Sequence, residues 1–277
     1  MEFIEFLKAV FFGIIEGITE WLPISSTGHM ILADEFVNLK ASDSFKEMFF
    51  VVIQLGAILA VPTLFFNRLN PFSKEKTKDE RKSVIDLWMK VIVGALPAAL
   101  IGVVFDDILD EYLYTPIVIS IALVVYGIAF IVIERVKNKQ GNDFRVKSID
   151  ALTYKDALTI GAFQVLSLIP GTSRSGSTIL GGMITGVSRV ASAEFSFFMA
   201  IPIMLGASGL KLLKFFMQGV SLGVNEIMIL LIGIVVSYIV SLIVIKFLMD
   251  FVKKHSFSVF GIYRIILGAF VLAYFLI

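Results

Sequence analysis

Hydrophobic residues run in long blocks along this chain, and the polar ones are confined to its connections and to two short islands. Six stretches, at about 48–66, 87–105, 116–133, 195–217, 226–249 and 258–277, are long and apolar enough to cross a bilayer as helices. Two others, at about 3–37 and 155–190, read differently: an apolar helix of moderate length, a Pro/Ser/Thr/Gly break, then a second short helix. Non-helical backbone survives at membrane depth only when buried in protein or lining a wet cavity. Both stretches are therefore predicted to be re-entrant hairpins. The expected fold is all-α and polytopic, with six transmembrane helices plus two re-entrant helical hairpins.

Composition supports the membrane reading. Of 277 residues 57% are hydrophobic, and the mean hydropathy is +0.90; a soluble domain of this size could not bury that much apolar surface. The net charge of +1 points to no class of partner. The lack of cysteine excludes disulfides, thiolate nucleophiles and Cys-ligated zinc. The first residues, Met1-Glu-Phe-Ile-Glu-Phe-Leu-Lys8, lack a basic region and a small-residue cleavage site, so no cleaved signal peptide is expected.

Charge gives the connections a side. The 67–86 connection carries Arg68, Lys74, Lys76, Lys78, Arg81 and Lys82, and the 134–155 connection carries Arg135, Lys137, Lys139, Arg145, Lys147 and Lys155. Between them, 106–115 holds Asp106, Asp107, Asp110 and Glu111 with no basic residue. Two spans separate the basic connections, so both are expected on one side, which the positive-inside rule makes cytoplasmic. Lys253 and Lys254 fall on the same side. Lys90, Lys246 and Arg264 are expected to snorkel from span ends, as are Lys211 and Lys214, which run against the charge trend.

The halves repeat. Gly13-Ile-Ile-Glu16 reads against Gly161-Ala-Phe-Gln164, and Leu22-Pro23…Ser25-Ser-Thr-Gly28 against Ile169-Pro170…Ser173-Arg-Ser-Gly176, an offset near 148. Each half is one hairpin plus three spans, and an odd number of crossings inverts the second copy. Residues 1–277 are expected to form one membrane domain, with halves at about 1–135 and 155–277 joined by the basic cytoplasmic connection. Sites in inverted repeats commonly lie where broken helices of the two halves meet.

The first island is Glu16-Gly-Ile-Thr-Glu20-Trp-Leu-Pro-Ile-Ser25-Ser-Thr-Gly-His29. Glu16 and Glu20, four apart on one helix face, suit a hard divalent cation such as Mg²⁺ or Ca²⁺, or an acid/base pair. Pro23 ends the helix, and Ser25, Ser26 and Thr27 can cap the next one, whose free amides favour an anion. One turn brings His29 beside a serine hydroxyl, the spacing of a nucleophile and its base. The second island, Pro170-Gly-Thr-Ser-Arg-Ser-Gly-Ser-Thr178, adds a turn, hydroxyls and Arg174, suited to bidentate phosphate recognition. Hydroxyls in membrane helices are often packing contacts, and Gln54 could be either site lining or interhelical glue. Together the islands describe a phosphoryl-transfer site, and six spans point to a lipid-borne phosphate.

Both islands resemble the two signature motifs of the bacterial undecaprenyl-diphosphate phosphatases, the UppP/BacA family, over essentially the whole chain. The resemblance implies hydrolysis of a C55-isoprenyl diphosphate to the monophosphate, recycling of the carrier for peptidoglycan synthesis, bacitracin resistance, a required divalent cation, and a site opening to the outer face of the cell membrane. By resemblance, Glu16 and Glu20 match the acidic pair that binds metal or polarises a nucleophile. Ser26 matches the proposed nucleophile and His29 its base. Ser25, Thr27, Gln54, Ser173, Arg174 and Ser175 match the phosphate pocket. The expected partners are a polyprenyl diphosphate lipid and the bilayer, with no nucleic acid and with a homodimer allowed. The alternative is a transporter or flippase of a phosphorylated polyprenyl lipid, distinguished by an unhydrolysed product.

Overall fold

The computed structural model describes residues 2–141, 143–219 and 222–276. It is all-helical: α1 (Glu2–Thr19), α2 (Ser26–Val37), α3 (Asp43–Val52), α4 (Gln54–Leu64), α5 (Phe66–Leu69), α6 (Lys78–Leu113), α7 (Pro116–Lys139), α8 (Tyr154–Val165), α9 (Arg174–Ile184), α10 (Arg189–Met217), α11 (Val224–Lys254) and α12 (Ser258–Leu276). Among the described residues six helical segments are long and apolar enough to cross a membrane: Asp43–Leu64, Lys78–Phe105, Pro116–Lys139, Arg189–Met217, Val224–Lys254 and Ser258–Phe275. They coincide with the six apolar blocks of the sequence.

The helices overrun the connections read from charge. α6 begins at a Thr77/Glu80 capping box and its backbone stays helical to Leu113, so 106–113 is helix rather than loop. No Gly or Pro interrupts that acidic stretch, and acidic residues are tolerated in helices. The stop comes at Thr115, which caps α7, and Pro116 at its first turn. The side chains of Asp106, Asp107, Asp110 and Glu111 lie outside the described residues, as does Ile277.

The helices interleave. α1 packs along α11, α8 along α6, α7 along α12, and α10 against α3, α4 and α6. Close approach explains two of the glycines in the repeated motifs. A Cβ on Gly13 would stand 2.8 Å from the Gly233 carbonyl oxygen of α11, and one on Gly161 would stand 2.2 Å from the Gly94 carbonyl oxygen of α6. Large side chains therefore cannot occupy either position without pushing a helix pair apart. The central core gathers Trp21, Ile179, Leu180, Phe195, Phe197 and Phe198, with the Trp21 and Phe197 rings edge to face at 5.2 Å.

At the end of the bundle that carries the basic connections, buried Glu134 of α7 takes Arg189 of α10 and accepts the Phe257 amide at 2.7 Å. Arg68 bridges Asp150 at 3.0 Å and Glu194 at 3.2 Å. These pairs fix the helix ends.

Candidate active site

Two short segments build the site: the break between α1 and α2, and the break between α8 and α9. Each ends in a serine N-cap held in the left-handed region, Ser25 at φ 75° and Ser173 at φ 74°. Such a conformation costs a non-glycine residue of order 1–3 kcal/mol and persists only where surrounding contacts impose it. Each serine side chain accepts a helix amide, Gly28 N–H at 3.3 Å and Gly176 N–H at 3.1 Å. Each first helical residue, Ser26 in α2 and Arg174 in α9, then points to the same carboxylate. Ser26 Oγ donates to Glu20 Oε2 at 2.8 Å, and Arg174 Nη2 donates to Glu20 Oε1 at 2.8 Å.

The grip on Arg174 is wider than the sequence indicated. Its Nη1 donates to the Ser196 carbonyl at 2.8 Å and lies 3.2 Å from Ser196 Oγ, which Thr178 Oγ1 approaches at 2.7 Å. The guanidinium sits 5.7 Å above the Trp21 ring. Its Nε is buried without a partner. The forked guanidinium is thus held at both Nη ends with one nitrogen, Nε, unengaged, an arrangement lysine cannot copy.

A cavity of about 440 Å³ opens beside this junction, within the usual range for a small-molecule site. Glu20, Ser25, Ser26, Thr27, Gln54, Ser173 and Arg174 all line it. Gln54 is the first residue of α4, just past Ile53, whose backbone stays helical between α3 and α4. One wall is apolar and small-sided, with Ala98, Ala99 and Gly102 of α6 and Gly206 and Ala207 of α10.

Glu16, His29 and Ser175 are not on that lining. Glu16 is completely buried and neither carboxylate oxygen has a partner. Ser175 directs its hydroxyl at the Glu20 carbonyl at 3.1 Å, joining the two breaks through the main chain. His29 is occupied on both ring nitrogens: Nδ1 lies 2.7 Å from the Ser25 carbonyl and Nε2 lies 2.7 Å from the Tyr263 hydroxyl, with the two rings stacked at 5.7 Å. A carbonyl only accepts, so Nδ1 carries the proton. The hydrogen bond of Ser26 therefore runs to Glu20 and not to His29.

Arg264 needs correcting. Far from snorkelling, it is 0% exposed, and it donates Nη1 to the Pro23 carbonyl at 3.1 Å and Nη2 to the Gly171 carbonyl at 2.8 Å. One guanidinium thus ties together the two breaks, each within two residues of its strained serine. Lys90 is also 8% exposed and pairs with Asp86 at 2.6 Å, under the Tyr154 ring. Lys211 and Lys214 line the cavity, and Lys211 pairs with Glu47 at 3.2 Å. Their departure from the charge trend places cations around the site. Among the described residues no group of three or more His, Asp or Glu side chains is arranged to hold a metal ion.

The sequence model of the family described as "Bacitracin resistance protein BacA" matches residues 9–270. An undecaprenyl-diphosphatase of Enterococcus faecalis is 57% identical over 274 residues, covering 98% of each chain. One from Acetivibrio thermocellus is 55% identical over 273 residues, covering 99% of this chain and 98% of its own. One from Lactococcus lactis subsp. lactis is 53% identical over 276 residues, covering 98% and 97%.

Proposed function

Since the chain belongs to the BacA family, we propose that it is a multi-pass membrane phosphatase that hydrolyses undecaprenyl diphosphate to undecaprenyl phosphate and inorganic phosphate, returning the lipid carrier to peptidoglycan synthesis and conferring bacitracin resistance. The observation that carries the site assignment is Glu20, pinned between Ser26 of one break and Arg174 of the other at 2.8 Å each. Ser26 Oγ attacks the terminal phosphorus while its proton passes to Glu20 Oε2. The bridging P–O bond breaks and its electron pair leaves on undecaprenyl phosphate. Water then cleaves the phosphoserine, releasing inorganic phosphate and restoring the hydroxyl. Arg174 Nε, Thr27, Gln54 and the α2 and α9 amides neutralise and orient the phosphoryl oxygens. His29 serves as a positioning residue, fixing the Ser25 carbonyl of the strained cap, and Ser175 braces the two breaks.

Glu16 and Glu20 fit a divalent cation: oxygen donors only, one carboxylate having both oxygens buried and unclaimed, which suits Mg²⁺ or Ca²⁺. When bound, the cation supplies charge neutralisation for the diphosphate, which the single guanidinium of Arg174 only partly provides.

The two breaks are re-entrant hairpins related by an inverted repeat. Exchanging the halves maps the α1–α11 contact onto α8–α6 and returns the α7–α12 contact to itself, and Ser25 and Ser173 share one backbone strain. With the basic ends cytoplasmic, the cavity opens to the outer face. The test is phosphate release from undecaprenyl diphosphate by the purified protein in detergent, with radiolabel from the terminal phosphate trapped on wild type. Absence of label on Ser26 with full turnover would make water the direct nucleophile.

A further inference from the structure

Gln164 holds the place in α8 that Glu16 holds in α1, and both are 0% exposed. Its backbone is fully employed: the carbonyl accepts Ser167 Oγ at 2.6 Å at the end of the helix. Its carboxamide is not. Neither Nε2 nor Oε1 has a hydrogen-bond partner, and the residue lines the cavity. Buried polar groups in native proteins are almost always satisfied, so an orphaned amide on a residue that lines a cavity calls for a ligand.

The chemistry of the cavity limits what that ligand is. Arg174, the Thr27 hydroxyl and the two helix N-termini offer donors, and Lys211 and Lys214 add positive charge. An anion rich in acceptor oxygens fits such surroundings. The carboxamide adds two N–H donors without adding charge. The difference between the related positions is then chemically sensible. Glu16 presents acceptors only, matched to a cation. A carboxylate at 164 would repel a phosphate, whereas the near-isosteric amide donates to it.

We infer that Gln164 is a substrate-binding residue, donating its carboxamide N–H to a non-bridging oxygen of the diphosphate and discriminating for the phosphoanhydride end of the lipid. Glu16 and Gln164 become the acceptor and donor members of one related pair, one in each half. The inference rests on the reading that the diphosphate sits in this cavity.

The experiment compares Gln164→Leu, Gln164→Glu and Arg174→Ala with wild type by KM for undecaprenyl diphosphate, inhibition by inorganic phosphate and by orthovanadate, and melting midpoint in detergent. Gln164→Leu should raise KM and the phosphate inhibition constant about tenfold, the worth of one hydrogen bond to a charged group. Its melting midpoint should hold or rise, because an unsatisfied group has been removed. Gln164→Glu, which keeps the shape and folds without a packing change, should raise both constants about 100-fold. The inference is overturned if both variants keep KM and the inhibition constants within twofold of wild type. It is equally overturned if Gln164→Leu lowers kcat and the melting midpoint with KM unchanged, the mark of a packing role. If Arg174→Ala raises the inhibition constants and the Gln164 variants do not, only Gln164 is misassigned. If Arg174→Ala also leaves them unchanged, phosphate does not bind in this cavity and the site reading itself fails.

Discussion

Replacing Arg264 should separate activity from stability. Its two good hydrogen bonds, 3.1 Å to Pro23 and 2.8 Å to Gly171, are donated by a buried cation, and such bonds are worth roughly 1.5–3 kcal/mol each. The third, 3.5 Å to Leu123, is at the limit of contact and adds little. Arg264→Met thus forfeits about 3–6 kcal/mol of attraction, but it also abolishes the desolvation of a fully buried charge, itself several kcal/mol. The two largely offset, and the net loss of stability should be within about 2 kcal/mol. The loss of geometry has no such offset. Pro23 and Gly171 each lie two residues before a serine cap at positive φ. Releasing both carbonyls lets Ser26 and Arg174 shift relative to Glu20, and a displacement near 1 Å costs on the order of 100-fold in rate. The assay is kcat for phosphate release beside the melting midpoint in the same detergent. Arg264→Lys is the control: one ammonium cannot reach both carbonyls as a fork does, so it should lose nearly as much activity. If Arg264→Met keeps kcat within threefold of wild type, the clamp does not hold the site. Full activity in Arg264→Lys would mean that the residue supplies charge and not geometry.

Other variants test neighbouring parts of the argument. Arg174→Lys, which cannot hold Glu20 and Ser196 together, should lower kcat/KM by about 100-fold or more in the same phosphate-release assay, since two bonds to a charged group are at stake. Glu16→Gln should raise the divalent-cation concentration needed for half-maximal activity by about tenfold or more, and chelator should silence wild type reversibly; unchanged cation dependence in Glu16→Gln would remove Glu16 from the metal site. Lys214→Glu should raise KM several-fold and flatten its dependence on ionic strength, as expected of cations that draw in an anionic headgroup. Glu134→Ala removes the buried carboxylate that Arg189 and the Phe257 amide share and should destabilise by about 3–5 kcal/mol, read as a fall in melting midpoint with KM unchanged.

What the sequence revealed follows from what membranes forbid. Apolar runs could only be spanning helices, and Pro23 with Ser25–Gly28, or Pro170 with Ser173–Gly176, could only be interruptions with a purpose. Arg264 escaped because a cation six residues into an apolar helix looks the same whether it reaches for headgroups or for two carbonyls distant in sequence. Ser196 escaped because one hydroxyl in α10 is indistinguishable from packing glue until Arg174 is seen to reach its carbonyl. His29 shows the opposite failure. Its spacing from Ser25 and Ser26 is right for a hydroxyl–imidazole pair, but Tyr263 of α12 holds one ring nitrogen and the Ser25 carbonyl the other. Helical spacing fixes which residues are neighbours; only tertiary partners decide which way they turn.

In the proposed mechanism neither half works alone. The α1–α2 break supplies the carboxylates and the hydroxyl, and the α8–α9 break supplies the guanidinium. Their functional side chains meet at Glu20, whose two oxygens are claimed by Ser26 and Arg174, the corresponding first residues of α2 and α9. In the proposed mechanism, the difference between those positions, serine in one and arginine in the other, makes one the nucleophile and the other the anion clamp. A swap that restored symmetry should therefore be inert even if it folds. Arg174→Ser would leave Glu20 between two hydroxyls with no counter-charge beneath the phosphate. Ser26→Arg would surround it with two guanidiniums and no nucleophile. Both should abolish phosphate release, and Arg174→Ser alone should also lose inhibition by inorganic phosphate. Retained phosphate inhibition in Arg174→Ser would show that the anion does not bind at this junction, and the division of labour between the halves would have to be redrawn.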